Sequence, residues 1–190
     1  MKKAGTPLII SSFLFVFPPV HLMSQKQTLN EIKWSVAALL PPLPGQALQP
    51  GLAGSVSGIT GHVLLVAGGA NFPQGLPWNG AIKQYHNDIY LFEKSNGTLK
   101  APAAPAKEKL PEAVAYGGCV STPAGIVYAG GENEHGITNK VYRLQYEAGV
   151  VSIQPLASLP LPLTNLAAAY YDNKLFIAGG ETKEGPSNKC

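Results

Sequence analysis

The string Gly-Glu-x-x-x-Gly-x-Ser/Thr-Asn-Lys occurs twice in this chain, at Gly131–Lys140 and at Gly180–Lys189, 49 residues apart. Each copy closes an apolar run that ends in two glycines, GIVYAGG (Gly125–Gly131) and KLFIAGG (Lys174–Gly180), and a third such run, HVLLVAGG (His62–Gly69), lies upstream. Self-similarity at a spacing near 50 residues marks one small structural unit used repeatedly, each too small to bury its own apolar face without its neighbour.

Before each of these runs, across a short turn, stands a stretch of small and apolar residues: LAGSVSGI (Leu52–Ile59), YGGCVST (Tyr116–Thr122) and NLAAAYYD (Asn165–Asp172). The turns Thr60-Gly61, Pro123-Ala124 and Asp172-Asn173 carry hairpin chemistry. A third strand follows the glycines, NDIYLFEK (Asn87–Lys94) and NKVYRLQY (Asn139–Tyr146), and a fourth, GVVSIQPLASLPLP (Gly149–Pro162), ends in prolines that suit an outer edge. Four-stranded antiparallel units at this period predict an all-β fold, a kelch-type β-propeller whose innermost strands hold small residues because they crowd the axis.

The units are expected to run over about 52–110, 111–163 and 164–190, the last cut short: the second copy of the repeat stops at Cys190, one residue before the position matching Tyr142. The leading stretch IKWSVAALLPPLPG (Ile32–Gly45) resembles the fourth-strand stretch SIQPLASLPLPL, so residues 25–51 are expected to hold a lone outer strand and a linker. About two and a half blades plus that strand fall short of the four to eight that close a ring. The expectation is therefore an N-terminal fragment of a longer propeller, with apolar faces left open.

Residues 1–24 differ from the rest. Lys2 and Lys3 precede the apolar stretch Leu8–Val20 and the polar start Ser24-Gln25-Lys26, the order of a secretory signal peptide. A retained membrane anchor is the alternative, opposed by Pro18 and Pro19. Cleavage near Gln25 predicts a periplasmic or secreted protein with no membrane attachment, and leaves 12 basic against 11 acidic side chains. Such near-neutrality argues against nucleic acid as a partner. Cys119 and Cys190 are too few for a disulfide framework, and Asn96-Gly97-Thr98 reads as a hairpin turn rather than a glycosylation site.

The glycine pairs are 62 residues apart and then 49, and ten of the thirteen extra residues fall in one loop, ANFPQGLPWNGAIKQYHN (Ala70–Asn87). VAGGANFP (Val66–Pro73), Pro77-Trp78-x-Gly80, HNDIYLF (His86–Phe92), LPEAVAYGG (Leu110–Gly118) and AGGENEHG (Ala129–Gly136), with the leading outer strand, resemble the cyclically permuted mutarotase group of bacterial kelch proteins, related to N-acetylneuraminate epimerases. The chain departs from that pattern at Glu112 and at Gln84-Tyr85. The resemblance implies a six-bladed ring and interconversion of the α and β anomers of sialic acid, an isomerase chemistry, with the 190-residue chain expected to be inactive alone. Opening and reclosing the sugar ring needs a base at the anomeric hydroxyl and an acid at the ring oxygen, and neither cofactor nor metal. The other reading is an exported kelch module that binds glycan or protein without catalysis, since one fold serves both uses.

The residues after the glycine pairs lie in loops on one face near the axis, where function concentrates. Glu132 and Glu181 occupy equivalent places in adjacent units and, with His135, are the candidate catalytic groups. For each Glu a role in tying neighbouring loops together stands beside the catalytic one. His135 equally suits a solvated loop tip. Candidate substrate-binding residues are Asn71, Trp78, Lys83 and Asn133. Asn71 also suits a left-handed turn, and Trp78 suits either a sugar's apolar face or the covering of a blade. A sialic acid carboxylate calls for a cation; the sole arginine, Arg143, sits mid-strand and reads as packing, which leaves Lys83. No phosphate-binding glycine loop, metal-spaced Cys/His cluster or Gly-x-Ser-x-Gly elbow occurs.

Overall fold

The computed structural model describes residues 32–43, 45–96, 98–102 and 104–190, so the signal peptide expected over 1–24 lies outside the described residues. All the long elements are strands. The first unit comprises β1 (Val56–Thr60), β2 (Val63–Ala67), the short β3 (Ala70–Asn71) and β4 (Gln84–Tyr85), then β5 (Ile89–Ser95) and β6 (Thr98–Lys100). The second repeats it as β7 (Gly118–Thr122), β8 (Gly125–Ala129), β9 (Glu132–Asn133), β10 (Gly136–Ile137), β11 (Val141–Glu147) and β12 (Val150–Pro155). The third has β13 (Ala167–Tyr171), β14 (Lys174–Ala178), β15 (Glu181–Thr182) and β16 (Gly185–Pro186). The long strands of the first two units form four-stranded antiparallel sheets, β1-β2-β5-β6 and β7-β8-β11-β12, while β13 and β14 pair as two. This is the kelch-type blade pattern, present as an incomplete propeller.

Turn chemistry sets the hairpins. Asp172 and Asn173, at φ 48° and 56°, join β13 to β14 through a two-residue loop, with Tyr171 opposite Lys174. In the first unit the loop is Gly61-His62 rather than Thr60-Gly61, because Thr60 stays in the ladder opposite Val63. Asn96, at φ 48°, turns β5 into β6, and Thr98 Oγ1 donates to the Ser95 carbonyl at 2.8 Å, the hairpin anticipated at that sequon.

The paired glycines fall just outside the strands. Gly130 and Gly131 take φ of 64° and 103°, and a Cβ on them would lie 2.3 Å from the Leu163 carbonyl oxygen and 2.6 Å from that of Ala115. Only glycine permits both that backbone and that approach. The pair thus turns the chain out of the sheet while the connection to the next blade passes over it.

Packing between sheets supplies the core. Val56, Leu65 and Ile89 of the first sheet meet Ile126, Tyr128 and Leu144 of the second, with Leu110 and Val114 of the connecting segment. Val127, Ala129 and Val141, on the opposite face of the second sheet, meet Leu163 and Leu166. All five residues of β8 are consequently buried, whereas β14, with a neighbouring sheet on one side only, has one partly buried position among exposed ones. Small residues in the inner strands match this closeness: a Cβ at Gly58 would come within 2.9 Å of Ile126 and Ser121.

Residues 32–43 and 45–51 hold no paired strand, as an outer strand whose blade partners are not in this chain would show. An extended segment becomes a strand only where a neighbour offers backbone partners, which apolar alternation alone does not supply.

Candidate functional site

Each unit carries its loops on the same scaffold. Ala53 bridges Ala70, Ala115 bridges Glu132 and Thr164 bridges Glu181, so Ala70, Glu132 and Glu181 are equivalent positions just after the glycine pairs. The residues following the first partners, Gly54, Tyr116 and Asn165, all have left-handed backbones, with φ of 62°, 61° and 54°. The Tyr116 amide donates to the Gly54 carbonyl at 2.8 Å, and the Asn165 amide to the Tyr116 carbonyl at 2.7 Å. This backbone relay ties one blade to the next and fixes Glu132 against the first unit.

Glu132 is the most elaborately held of the expected residues. Its Oε1 accepts a hydrogen bond from the Tyr85 hydroxyl at 2.7 Å and one from Lys83 Nζ at 3.2 Å. The Lys83 ammonium also lies 5.1 Å from the centre of the Tyr116 ring and 5.6 Å from that of Tyr85, within reach of cation–π attraction. Burial works against the Lys83 charge, but the hydrogen bond to Glu132 and the nearby tyrosines outweigh it and raise its pKa above the ordinary lysine value. Burial, followed by the bond to Glu132, likewise raises the Tyr85 phenol. Lys83 and Tyr85, with Pro73, Gln74, Ile82 and Glu134, line an open cavity of about 430 Å³ between the long loop and the β9–β10 tip.

The other expected residues divide. Asn71 is occupied at both ends of its amide, donating to the Gly51 carbonyl at 2.9 Å and meeting His86 Nε2 at 2.9 Å. Asn133 caps its own turn, accepting the His135 amide at 2.8 Å, and its Nδ2 stands 3.5 Å from Glu112. The His135 side chain is 82% exposed and lies 3.4 Å from the equally solvated Glu134. Glu181 is exposed and makes no side-chain hydrogen bond among the described residues, so the equivalent carboxylates of Glu132 and Glu181 are not brought together by shared contacts. Trp78 sits in a 3-10 turn (Pro77–Asn79) and is 76% exposed. Arg143 bonds Gln154 across the β11–β12 ladder, as packing requires.

Sequence reasoning missed Tyr85 and Tyr116 as site residues. The signal available for Tyr85 was its place two residues after Lys83 in the long loop Ala70–Asn87. Glu112 forms a 2.8 Å ion pair with Lys140.

The structure thus defines kelch-type blades with a loop-borne polar site at the junction of two of them. The profile of the N-acetylneuraminate epimerase family matches residues 20–153, and the chain belongs to that family. Relatives named N-acetylneuraminate epimerase include those of Brucella melitensis, 31% identical over 131 residues (64% of this chain, 32% of the relative), and Vibrio vulnificus, 37% identical over 126 residues (60% and 31%). That of Yersinia enterocolitica is 30% identical over 135 residues (66% and 33%). The solved structure of YjhT overlays with a TM-score of 0.46 at 25% identity, covering 60% of this chain and 33% of that one. The chain spans about a third of the length of the curated relatives it matches.

Proposed function

We propose that the protein carrying this chain is an exported mutarotase that interconverts the α and β anomers of N-acetylneuraminate, with the Glu132 carboxylate as its base. The family named by the relatives supports the reaction class. The observation that carries the assignment to a residue is the fixation of Glu132 by Lys83 and Tyr85, two groups that line the cavity. Glu132 takes the proton of the anomeric hydroxyl, an acid protonates the ring oxygen as the bond from it to the anomeric carbon breaks, and the open-chain ketone turns before the steps reverse on its other face. Lys83 has three N–H donors and gives one to Glu132, so two remain for the substrate carboxylate. Export rests on the leader-like sequence of residues 1–24.

Exchange between the two anomers of N-acetylneuraminate, followed by NMR magnetisation transfer, tests the reading. Acceleration by the protein over buffer is expected; no acceleration at any protein concentration overturns it. One observation favours the second reading, a module that binds glycan without turning it over: Trp78 presents an open aromatic face beside the exposed Leu76 and Ile82. Saturable sugar binding with no exchange decides for that alternative.

A further inference from the structure

Lys83 immediately precedes β4 and Tyr85, two residues on, ends it; both side chains reach Glu132. Both side chains come from the first unit and both end on the same oxygen of a carboxylate in the second. Glu132 Oε2, by contrast, receives no hydrogen bond from any described residue. A carboxylate at the end of a flexible side chain turns freely about its last bonds, and two donors on one oxygen fix both the plane of the group and the place of the other oxygen. Proton transfer depends on holding the acceptor within hydrogen-bond reach of the proton it removes.

We propose that Tyr85 is a positioning residue for Glu132: its hydroxyl, with the Lys83 ammonium, anchors Oε1 and so holds Oε2 as the proton acceptor. This rests on Glu132 being the base. The phenol stays protonated, and therefore a donor, through the neutral range because burial and the bond to the carboxylate both disfavour its ionised form.

The test compares Tyr85→Phe, Glu132→Gln and the double variant in the anomer-exchange assay. Tyr85→Phe keeps the ring beside Lys83 and removes only the hydroxyl; kcat is expected to fall about tenfold with KM changed less than twofold. In the Glu132→Gln background the same change is expected to have no further effect, since its target is gone. An unaltered kcat in Tyr85→Phe, or an equal loss in both backgrounds, overturns the positioning role and leaves Glu132 as base. If Glu132→Gln itself does not slow exchange, the base assignment falls and the positioning role falls with it. Should Tyr85→Phe lower the thermal midpoint, Lys83→Met reads the same coupling in kcat, its loss of substrate-carboxylate contacts appearing in KM: a kcat loss that vanishes in the Glu132→Gln background supports the proposal, and an equal kcat loss in both backgrounds overturns it.

Discussion

Tyr116 and Gly54 occupy the same position in successive blades, both left-handed, and the ring of one lies where a side chain on the other would stand. A Cβ at Gly54 would fall 2.3 Å from Tyr116 Cδ1 and 2.7 Å from its amide nitrogen, the atom that donates to the Gly54 carbonyl. Gly54→Ala therefore meets a clash and a strained backbone together. A loss of about 2 to 4 kcal/mol is expected in urea denaturation, and a change under 0.5 kcal/mol would show that the blades are not packed through this pair.

His86 gives the fold a pH dependence. It is 7% exposed, and burial lowers its pKa, opposed by Asp88. The folded state thus binds its proton less readily than the unfolded chain, whose histidine titrates near 6.5. Stability is full above that value and falls as the pH drops from it towards the lower folded pKa. Replacing His86 by Gln is expected to flatten this limb in denaturation curves below about pH 6.5. A limb of equal slope in the variant would assign it to other groups.

The outward face of β13–β14 carries Tyr171, Ala169 and Phe176, with Phe176 44% exposed opposite Ala169. Open apolar sheet faces drive association. The 190-residue chain is expected to self-associate in sedimentation velocity, and Phe176→Lys to reduce that association severalfold. A chain monomeric at all concentrations would mean this face is covered.

Trp78 offers a direct optical probe, since the only other tryptophan is Trp34. N-acetylneuraminate is expected to change the emission of the wild-type protein but not that of Trp78→Phe, and to bind the variant several times more weakly. An equal response in both would remove Trp78 from the sugar site.

What was legible in the sequence is what repeats locally. The runs VLLVA, GIVYA and KLFIA announced the second strand of each unit, and the glycines after them announced a left-handed backbone where the two chains pass too closely for a side chain. What escaped depends on contacts between units. Tyr85 meets Glu132 across 47 residues and two blades, and nothing in Gln84-Tyr85 states which carboxylate lies opposite. Asn71 and Asn133 matched in pattern, yet one is consumed by Gly51 and His86 and the other by its own turn. Glu132 and Glu181 are alike in sequence and in backbone, but only Glu132 has the long loop of a preceding unit to supply donors.

Ring opening by this protein turns on Glu132 acting as the base. The most direct test is the NMR rate of α-to-β exchange of N-acetylneuraminate by the wild-type protein and by Glu132→Gln at equal thermal stability. The variant is expected to lose a hundredfold or more, the usual contribution of a positioned base; a variant exchanging at the wild-type rate would show that Glu132 is not the base.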